Sequence, residues 1–493
     1  MKLVKFLFLT LPLLASPVFA DAKPAAKAAG AKLQACKVPG GKGPVDARCA
    51  TYQVWENREA RSGRKIGVKV VVLPALSATP KPDPVFFLGG GPGEAIAEEA
   101  GFFESPLRRD HDLVFINQRG TAEPDKLACE LGGHEDDLQS YLGEMFPVAA
   151  VKECEERLAR KHDLTQYTTD AAVDDFAEVL TWLGYGKVDV VGGSYGTRTG
   201  QVFARRHPGQ VRTVTLVGAV PMDERLPITH AAAGQRSIDL LASWCEKDPA
   251  CHGKFPGFRQ EFQSVMDRLR REPVTVEVQH PRTHKPVQVK IAWNVVADGV
   301  RWALYSPRTS ALLPWMVHQA ASGDFKPLAQ ASVNARLGAI DGLTMGLFFS
   351  VTCAEDIPFI DPAQVPARTA NTFLGDYRVK QQTAACGVWP RAKIEPGHSQ
   401  PVRTDLPVLV LNGERDPVTP PDFGPRVTTA MTHATRILVP WGTHGGDDPC
   451  TDKIQEDFIE KGSGEGLDLS CVSKIQMTPF ALEGPKEEKA AGR

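Results

Sequence analysis

Residues 188–196, VDVVGGSYG, place a serine directly after a short, largely apolar run. A run of this length that ends in glycines predicts a buried strand, and the residues that follow, TRTGQVFARRH, predict a helix. Ser194 would then occupy a sharp turn between strand and helix, where glycines are needed because a side chain would collide with neighbouring backbone. An ordinary Gly-rich turn between a strand and a helix is the alternative interpretation.

Further short apolar runs, bounded by Gly, Pro or Asp, also predict strands, at residues 68–73, 85–88, 113–116, 214–217, 408–411 and 437–439. Continuous apolar runs suit parallel strands that are buried on both faces. Residues 170–183 predict a helix with one apolar face, capped by Thr169 or Asp170 and ended by Gly184. This alternation predicts an α/β fold with a mostly parallel central sheet flanked by helices.

Residues 222–404 interrupt the alternation of strands and helices. They contain an amphipathic helix at 258–271, two possible strands at 274–278 and 287–291, and further helical segments. We interpret this stretch as a largely helical cap inserted into the sheet domain, whose two parts would be residues 34–221 and 405–482. Residues 21–33 and 483–493 are expected to form a flexible leader and a disordered tail.

The first twenty residues predict an export signal. Lys2 and Lys5 precede an apolar run at residues 6–15, and small residues at 18–20 resemble a cleavage site. The apolar run is far shorter than the roughly 20 residues that span a bilayer. We therefore expect a mature chain that begins near Asp21, has no membrane anchor, and is secreted or periplasmic.

The ten cysteines all lie outside the predicted signal, and disulfides form in oxidising compartments. Neighbouring cysteines predict five bridges: Cys36 with Cys49, Cys129 with Cys154, Cys245 with Cys251, Cys353 with Cys386, and Cys450 with Cys471. A metal site is the alternative, but the chain has no C-x-x-C pair and no H-E-x-x-H motif. We expect no metal and no cofactor.

The charge of the chain excludes some classes of partner. A net charge of −2, with 24% charged residues, gives no field that would favour nucleic acid or an anionic membrane. We therefore expect a small or peptidic substrate. We also expect a monomer.

Ser194 in a G-x-S-x-G turn is typical of the nucleophile in the α/β-hydrolase fold. A serine hydroxyl needs a base to take its proton and a carboxylate to orient that base. In this fold the acid follows a late strand. Asp416 follows the predicted strand at 408–411 and is the leading candidate, because Asp405 precedes that strand and Asp422 is predicted to begin a helix.

The histidine comes last along the chain in this fold. His444 lies between glycines after the predicted strand at 437–439, whereas His433 is predicted to lie on a helix before that strand. A solvent-exposed loop histidine is the alternative. Order and position together favour His444 as the base.

Backbone N–H groups must face the oxyanion that forms during acyl transfer. The loop GGGPG at residues 89–93 follows the predicted strand at 85–88, where one of the two donors normally arises. We assign the N–H groups of Gly91 and Tyr195 to this role. A phosphate-binding loop is poorly supported, since no G-K-[ST] follows.

Several motifs in order resemble the prolyl and tripeptidyl aminopeptidase family of α/β-hydrolases, including its C-terminal segment. They are GGGPGE at 89–94, NQRGT at 117–121, GGSYGTR at 192–198, NGERDPVTP at 412–420 and GTHG at 442–445. The resemblance spans nearly the whole mature chain. It implies the same triad, Ser194, Asp416 and His444, and the same oxyanion donors.

The resemblance also implies a site for the free α-amino group of the substrate, formed by acidic residues of the cap. Glu355 and Asp356 are the candidates, although a pair of solvated carboxylates is the alternative. Gly89 and Asn117 differ from the His and Asp that relatives often carry at these positions.

The expected function is that of an exported serine peptidase, which releases residues or short peptides from the free N-terminus of peptides through an acyl-enzyme. A carboxylesterase or lipase with the same triad is one alternative. A catalytically silent binding protein on the same fold is another.

Overall fold

The computed structural model describes residues 32–103, 105–445 and 448–485. The predicted signal at residues 1–20 lies outside these residues, as do most of the predicted leader and most of the predicted tail. Leu33, which falls within the predicted leader, is buried and packs in the hydrophobic core. The packed part of the chain therefore begins before the boundary that the sequence predicted.

A nine-stranded sheet forms the centre of the protein, in the order β1-β2-β3-β5-β4-β6-β7-β10-β11. The strands are β1 (Gln34–Val38), β2 (Val45–Trp55), β3 (Lys65–Leu73), β4 (Val85–Leu88), β5 (Leu113–Ile116), β6 (Val188–Gly193), β7 (Val211–Val217), β10 (Thr404–Gly413) and β11 (Met431–Val439). The pairs from β5 to β11 are parallel, and those joining β1, β2, β3 and β5 are antiparallel. The predicted mostly parallel sheet is confirmed.

Helices cover both faces of the sheet and form most of the inserted region. They are α1 (Val148–Ala159), α2 (Thr169–Leu183), α3 (Tyr195–Arg206), α4 (His230–Lys247), α5 (Pro249–Lys254), α6 (Phe258–Arg271), α7 (Trp293–Ala303), α8 (Pro307–Ser310), α9 (Leu313–Ala321), α10 (Lys326–Gly342), α11 (Met345–Glu355), α12 (Val365–Thr369), α13 (Tyr377–Cys386), α14 (Phe423–Val427) and α15 (Pro449–Lys461). Short 3-10 turns link several of them.

Helix α2 shows how local sequence sets the ends of an element. The hydroxyl of Thr168 accepts a hydrogen bond from the N–H of Ala171 at 3.2 Å, so Thr168 caps the helix rather than the predicted Thr169 or Asp170. Gly184 ends the helix with φ 89°, as predicted, because glycine adopts this left-handed conformation without strain.

The cap is the segment between β7 and β10. Its two-stranded sheet, β8 (Val274–Gln279) and β9 (Pro286–Ile291), and helix α6 match the elements predicted there. Much of the cap has its own core, built around residues such as Phe262, Val296 and Leu328. Helix α11 packs instead into the core of the central sheet through Phe349. The inserted sequence is therefore joined to the sheet domain by shared packing.

All five predicted disulfides are confirmed. They join Cys36–Cys49, Cys129–Cys154, Cys245–Cys251, Cys353–Cys386 and Cys450–Cys471. The first ties the two outermost antiparallel strands, and the fourth ties helix α11 to helix α13.

Among the described residues, no single helix has both the length and the apolar composition needed to cross a bilayer. The helical segments Lys326–Gly342 and Met345–Phe359 meet these criteria only as a pair, and the chain bends by 84° between them.

Candidate active site

Ser194 occupies the turn between β6 and α3 in a strained backbone conformation, with φ 54° and ψ −121°. Its N–H donates to the carbonyl of Val217 at 3.0 Å. The flanking positions must be glycine because there is no room for a side chain. A Cβ added to Gly192 would lie 2.3 Å from the carbonyl oxygen of Gly196, and one added to Gly196 would lie 2.4 Å from that of Leu88. The sequence thus folds into a tight turn that presents the serine at the end of a central strand.

Asp416 and His444 follow the ends of β10 and β11 and contact each other. Nδ1 of His444 lies 2.8 Å from Oδ2 and 3.1 Å from Oδ1 of Asp416, whose side chain is completely buried. The carboxylate also accepts hydrogen bonds from the N–H groups of Val418 and Thr419, each at 2.8 Å, and from the hydroxyl of Thr419 at 2.6 Å. These contacts fix the carboxylate in the position that orients the imidazole.

Ser194 and His444 line the same cavity, which has a volume of about 790 Å³. A Cβ added to Gly218 would lie 3.3 Å from Cε1 of His444, and Gly218 directly follows Val217, which binds the N–H of Ser194. Within the described residues the hydroxyl of Ser194 and the ring of His444 do not hydrogen-bond to each other. Such contacts commonly tighten only when substrate binds.

The loop after β4 lies beside Ser194. Gly91 lines the cavity with φ 102°, and its N–H has no protein acceptor among the described residues. The neighbouring N–H of Gly90 donates to the carboxylate of Glu94. Tyr195 is the first residue of α3 and also lines the cavity. The structure therefore brings both predicted oxyanion donors to the same cavity as the serine.

The side chain of Tyr195 points into a buried polar network. Its hydroxyl lies 2.6 Å from the hydroxyl of Thr169 and accepts a hydrogen bond from Gln118 at 3.1 Å. Burial raises the pKa of this phenol, and the nearby charge of Glu355 raises it further. The phenol stays neutral and holds the start of α3 against α2.

The two predicted acids of the cap face different surroundings. The carboxylate of Glu355 accepts the N–H and the hydroxyl of Thr169, each at 2.7 Å, and lies 3.3 Å from Nε2 of His398. It does not line the cavity. Burial lowers the pKa of His398, but hydrogen bonds to Asp170 and Glu355 outweigh it and raise this pKa to about 9.

Asp356 does line the cavity. Its Oδ1 lies 2.7 Å from Nη1 of Arg198 and accepts the N–H of Leu226 at 3.2 Å. Burial raises the pKa of this carboxyl, against the effect of Arg198. Of the two adjacent acids, the structure places one on the cavity wall and the other in the support of helix α2.

Sequence reasoning missed two acids in the cavity, Glu94 and Glu99. Burial raises the pKa of Glu99, and the neighbouring carboxylate of Glu94 raises it further. Glu94 belongs to the GGGPGE motif, so its position beside Ser194 was accessible from the sequence. Glu99 carries no signal that separates it from Glu98, whose carboxylate pairs with Lys69.

Tyr305, from the cap, was also missed. Its carbonyl accepts the N–H of His444 at 3.3 Å and the hydroxyl of Thr443 at 2.7 Å, and its ring lies 4.7 Å from that of His444. The cap is thereby bonded to the loop that carries the histidine.

The NQRGT motif has a structural role in the described chain. Arg119 is fully buried and binds Asp175 through two hydrogen bonds of 2.7 and 2.9 Å. Its Nη1 also donates to the carbonyls of Glu56 and Gln166, each at 2.8 Å. The motif therefore anchors the turn after β5 to helix α2.

Asp83, His111 and Asp189 form a group whose ligand atoms lie close enough to hold a metal ion. Nη2 of Arg212 lies 3.0 Å from Asp83 and 2.7 Å from Asp189, so one guanidinium pairs with both carboxylates. Asp189 lies near the start of β6 and Ser194 directly after its end. The group is therefore separate from the cavity.

The sequence profile of the α/β-hydrolase fold matches residues 83–444, most of the chain and all of the site described above. The chain belongs to the α/β-hydrolase family. Among curated members, the serine protease Hip1 of Mycobacterium tuberculosis is 25% identical over 421 residues, which cover 78% of each chain. The proline iminopeptidase of Neisseria gonorrhoeae is 31% identical over 143 residues, 29% of this chain and 34% of that protein.

Two solved structures also align with most of this chain. The proline iminopeptidase of Mycobacterium smegmatis aligns over 84% of this chain and 95% of its own, with 13% identity and a TM-score of 0.32. The esterase EaEST of Exiguobacterium antarcticum aligns over 80% and 95%, with 13% identity and a TM-score of 0.34.

Proposed function

We propose that this α/β-hydrolase is a serine aminopeptidase, which cleaves peptides near a free N-terminus through an acyl-enzyme. The observation that carries the proposal is the buried Asp416–His444 pair beside a cavity that also holds Ser194 in its strained turn. The similarity to a serine protease and to a proline iminopeptidase supports peptide rather than ester substrates.

In the proposed mechanism His444 takes the proton of Ser194 as Oγ attacks the peptide carbonyl carbon. Asp416 stabilises the imidazolium that forms, and the N–H groups of Gly91 and Tyr195 face the oxyanion. His444 then gives the proton to the leaving amine. Water, activated by the same base, hydrolyses the acyl-enzyme and regenerates the serine.

The proposed aminopeptidase specificity rests on negative charge inside the cavity. Glu94 and Glu99 line it, together with Asp356, which is already paired with Arg198. A carboxylate inside the cavity attracts an α-ammonium group more strongly than one in water. A Cβ added to Gly90 would lie 3.3 Å from Oε2 of Glu94 and 3.5 Å from Cβ of Ser194. Oε2 of Glu94 and Cβ of Ser194 are therefore less than about 7 Å apart. That separation suits an α-amino group close to the scissile bond. For Glu355 we propose a supporting role through Thr169 instead.

We also propose that the protein works in an oxidising compartment outside the cytoplasm. The five disulfides, which use every cysteine of the chain, support this location. Cell fractionation that found the mature protein in the cytoplasm with reduced cysteines would contradict it.

Two measurements test the catalytic proposal. A fluorophosphonate probe should label the wild-type protein and the control variant Ser322→Ala, which changes an exposed serine at the end of α9, but not Ser194→Ala. Purified protein should release chromophore from aminoacyl or tripeptidyl substrates and not from their N-acetylated forms. Equal cleavage of blocked substrates, or cleavage of short esters only, would overturn the aminopeptidase assignment.

A further inference from the structure

The cap side of the cavity carries an excess of positive charge. Arg301, Arg336 and Arg378 all line the cavity. Among the described lining residues, the cap contributes two carboxylates, Asp298 and Asp356, and Asp356 is paired with Arg198. Nε and Nη2 of Arg301 lie 3.2 and 3.1 Å from Oδ1 of Asp298. One of the three guanidinium groups is thus neutralised by a carboxylate.

Arg336 donates to backbone carbonyls, those of Tyr141 at 3.2 Å and Glu144 at 2.7 Å. These bonds orient its side chain but do not cancel its charge. The cavity wall formed by the cap therefore keeps two uncompensated positive charges, those of Arg336 and Arg378.

The guanidinium of Arg378, on helix α13, has only weak hydrogen-bond acceptors in the cavity wall. Its Nε donates to Gln382 at 3.2 Å and its Nη1 to the sulfur of Met145 at 3.0 Å. Its Cζ lies 5.0 and 5.6 Å from the ring centres of Phe146 and Phe348. Within the described chain no carboxylate pairs with it, and its Nη2 has no acceptor.

The electrostatic state of Arg378 reflects these surroundings. Burial and the charge of Arg301 lower its pKa to about 10, so the group is still protonated at neutral pH. A cation enclosed in a largely apolar cavity without an anion is energetically costly, and an anionic ligand would relieve that cost.

A second group on the same wall lacks partners. Both ring nitrogens of His230, the first residue of helix α4, are buried and make no hydrogen bond in the described structure. His230 and Arg378 line the main cavity and also a small recess beside it. Burial lowers the pKa of His230 well below its usual value, and the charges of Arg301 and Arg378 lower it further. The neutral ring keeps one N–H to donate.

We propose that Arg378 and His230 form a subsite for a carboxylate of the substrate, supplied by its C-terminus or by an acidic side chain. A carboxylate there would accept from the free Nη2 of the guanidinium and, after a small shift that exposes the ring nitrogen, from the imidazole N–H, two donors that the protein leaves unused. The identity of the ligand as a peptide rests on the proposed function. With acids near Ser194 and cations on the cap, the cavity would suit a short peptide that carries charges of both signs.

Binding to the Ser194→Ala protein tests this subsite without turnover. Isothermal titration calorimetry would compare tetra-alanine with its C-terminal amide, and Ala-Ala-Glu-Ala amide with Ala-Ala-Gln-Ala amide. Hydrogen bonds to charged groups predict at least about tenfold tighter binding of the carboxylate in one of the two pairs. The pair that shows the difference identifies the source of the carboxylate.

Variants in the same Ser194→Ala background assign the effect to the residue. Arg378→Gln should abolish the preference, whereas Arg378→Lys should keep part of it, and Arg368→Gln, which removes an exposed arginine of the cap, should leave it unchanged. Equal affinity within both peptide pairs would overturn the proposal even if Arg378→Gln did not fold. So would an equal loss for charged and neutral peptides in Arg378→Gln. If wild-type protein cleaved none of these peptides but the preference persisted, the proposed function would fail and the carboxylate subsite would stand.

Discussion

Replacing Asp416 by asparagine should disable the proposed triad while leaving its geometry almost intact. Oδ1 of Asp416 accepts the N–H groups of Val418 and Thr419, each at 2.8 Å. The carbonyl oxygen of an asparagine must take this place, because an amide NH₂ cannot accept them. The NH₂ then takes the place of Oδ2, which lies 2.8 Å from Nδ1 of His444.

An NH₂ at that position donates to Nδ1 and moves the imidazole proton to Nε2. A nitrogen that carries a proton cannot accept one from Ser194, so the base is lost although the ring stays in place. In a serine protease with this arrangement the same change costs about 10⁴ in rate, which corresponds to about 5 kcal/mol of transition-state stabilisation. We expect a loss of that size here.

The assay is the second-order rate constant for labelling by a fluorophosphonate probe, since it reports the reactivity of Ser194 without a known substrate. Circular dichroism and thermal unfolding should show a folded variant. Asp422→Asn, an exposed acid at the start of α14, is the matched control and should label at the wild-type rate. Labelling of Asp416→Asn within tenfold of wild type would refute the role of Asp416.

Three further outcomes follow from other contacts. Arg119→Met removes two hydrogen bonds to the buried carboxylate of Asp175, which keeps its ion pair with Arg58, and leaves the carbonyls of Glu56 and Gln166 without this donor. It should lower the free energy of unfolding by about 2–3 kcal/mol in urea denaturation; a loss below about 1 kcal/mol would contradict this. Because the pKa of His398 is raised to about 9, the stability it contributes is complete below pH 6.5 and is lost as pH rises through 9. This loss of stability, up to about 3 kcal/mol, should be absent from His398→Gln. Identical pH profiles of unfolding in the variant and the wild-type protein would refute the role of His398. Gly196→Ala should force the turn apart, since the new Cβ would lie 2.4 Å from the carbonyl of Leu88, and should lower fluorophosphonate labelling at least tenfold; normal labelling would show that the turn can adapt.

The parallel part of the sheet was predictable because its strands are buried on both faces and are continuously apolar. Strands β1 and β2 were missed, since β2 alternates between exposed and buried residues and has polar residues at many positions. The prediction that His433 lies on a helix was wrong for a similar reason. It lies in β11, a strand at the edge of the sheet whose exposed positions mask the strand pattern.

The order of Ser194, Asp416 and His444 along the chain was enough to predict that Asp416 and His444 meet. Sequence could not distinguish Glu355 from Asp356, because their side chains diverge at the end of α11 and only the folded cap decides which one reaches the cavity. The positively charged cavity wall of the cap could not be predicted from the sequence either. Arg301, Arg336 and Arg378 are far apart in sequence and meet through cap packing.

The bonds between Tyr305 and the histidine loop constrain how substrate can reach the serine. If the cap lifted as a rigid body, it would pull on the N–H of His444 and on Thr443 and draw the base away from its acid. Movement of the cap at Tyr305 and the position of His444 are therefore coupled, so that a displacement of one changes the other.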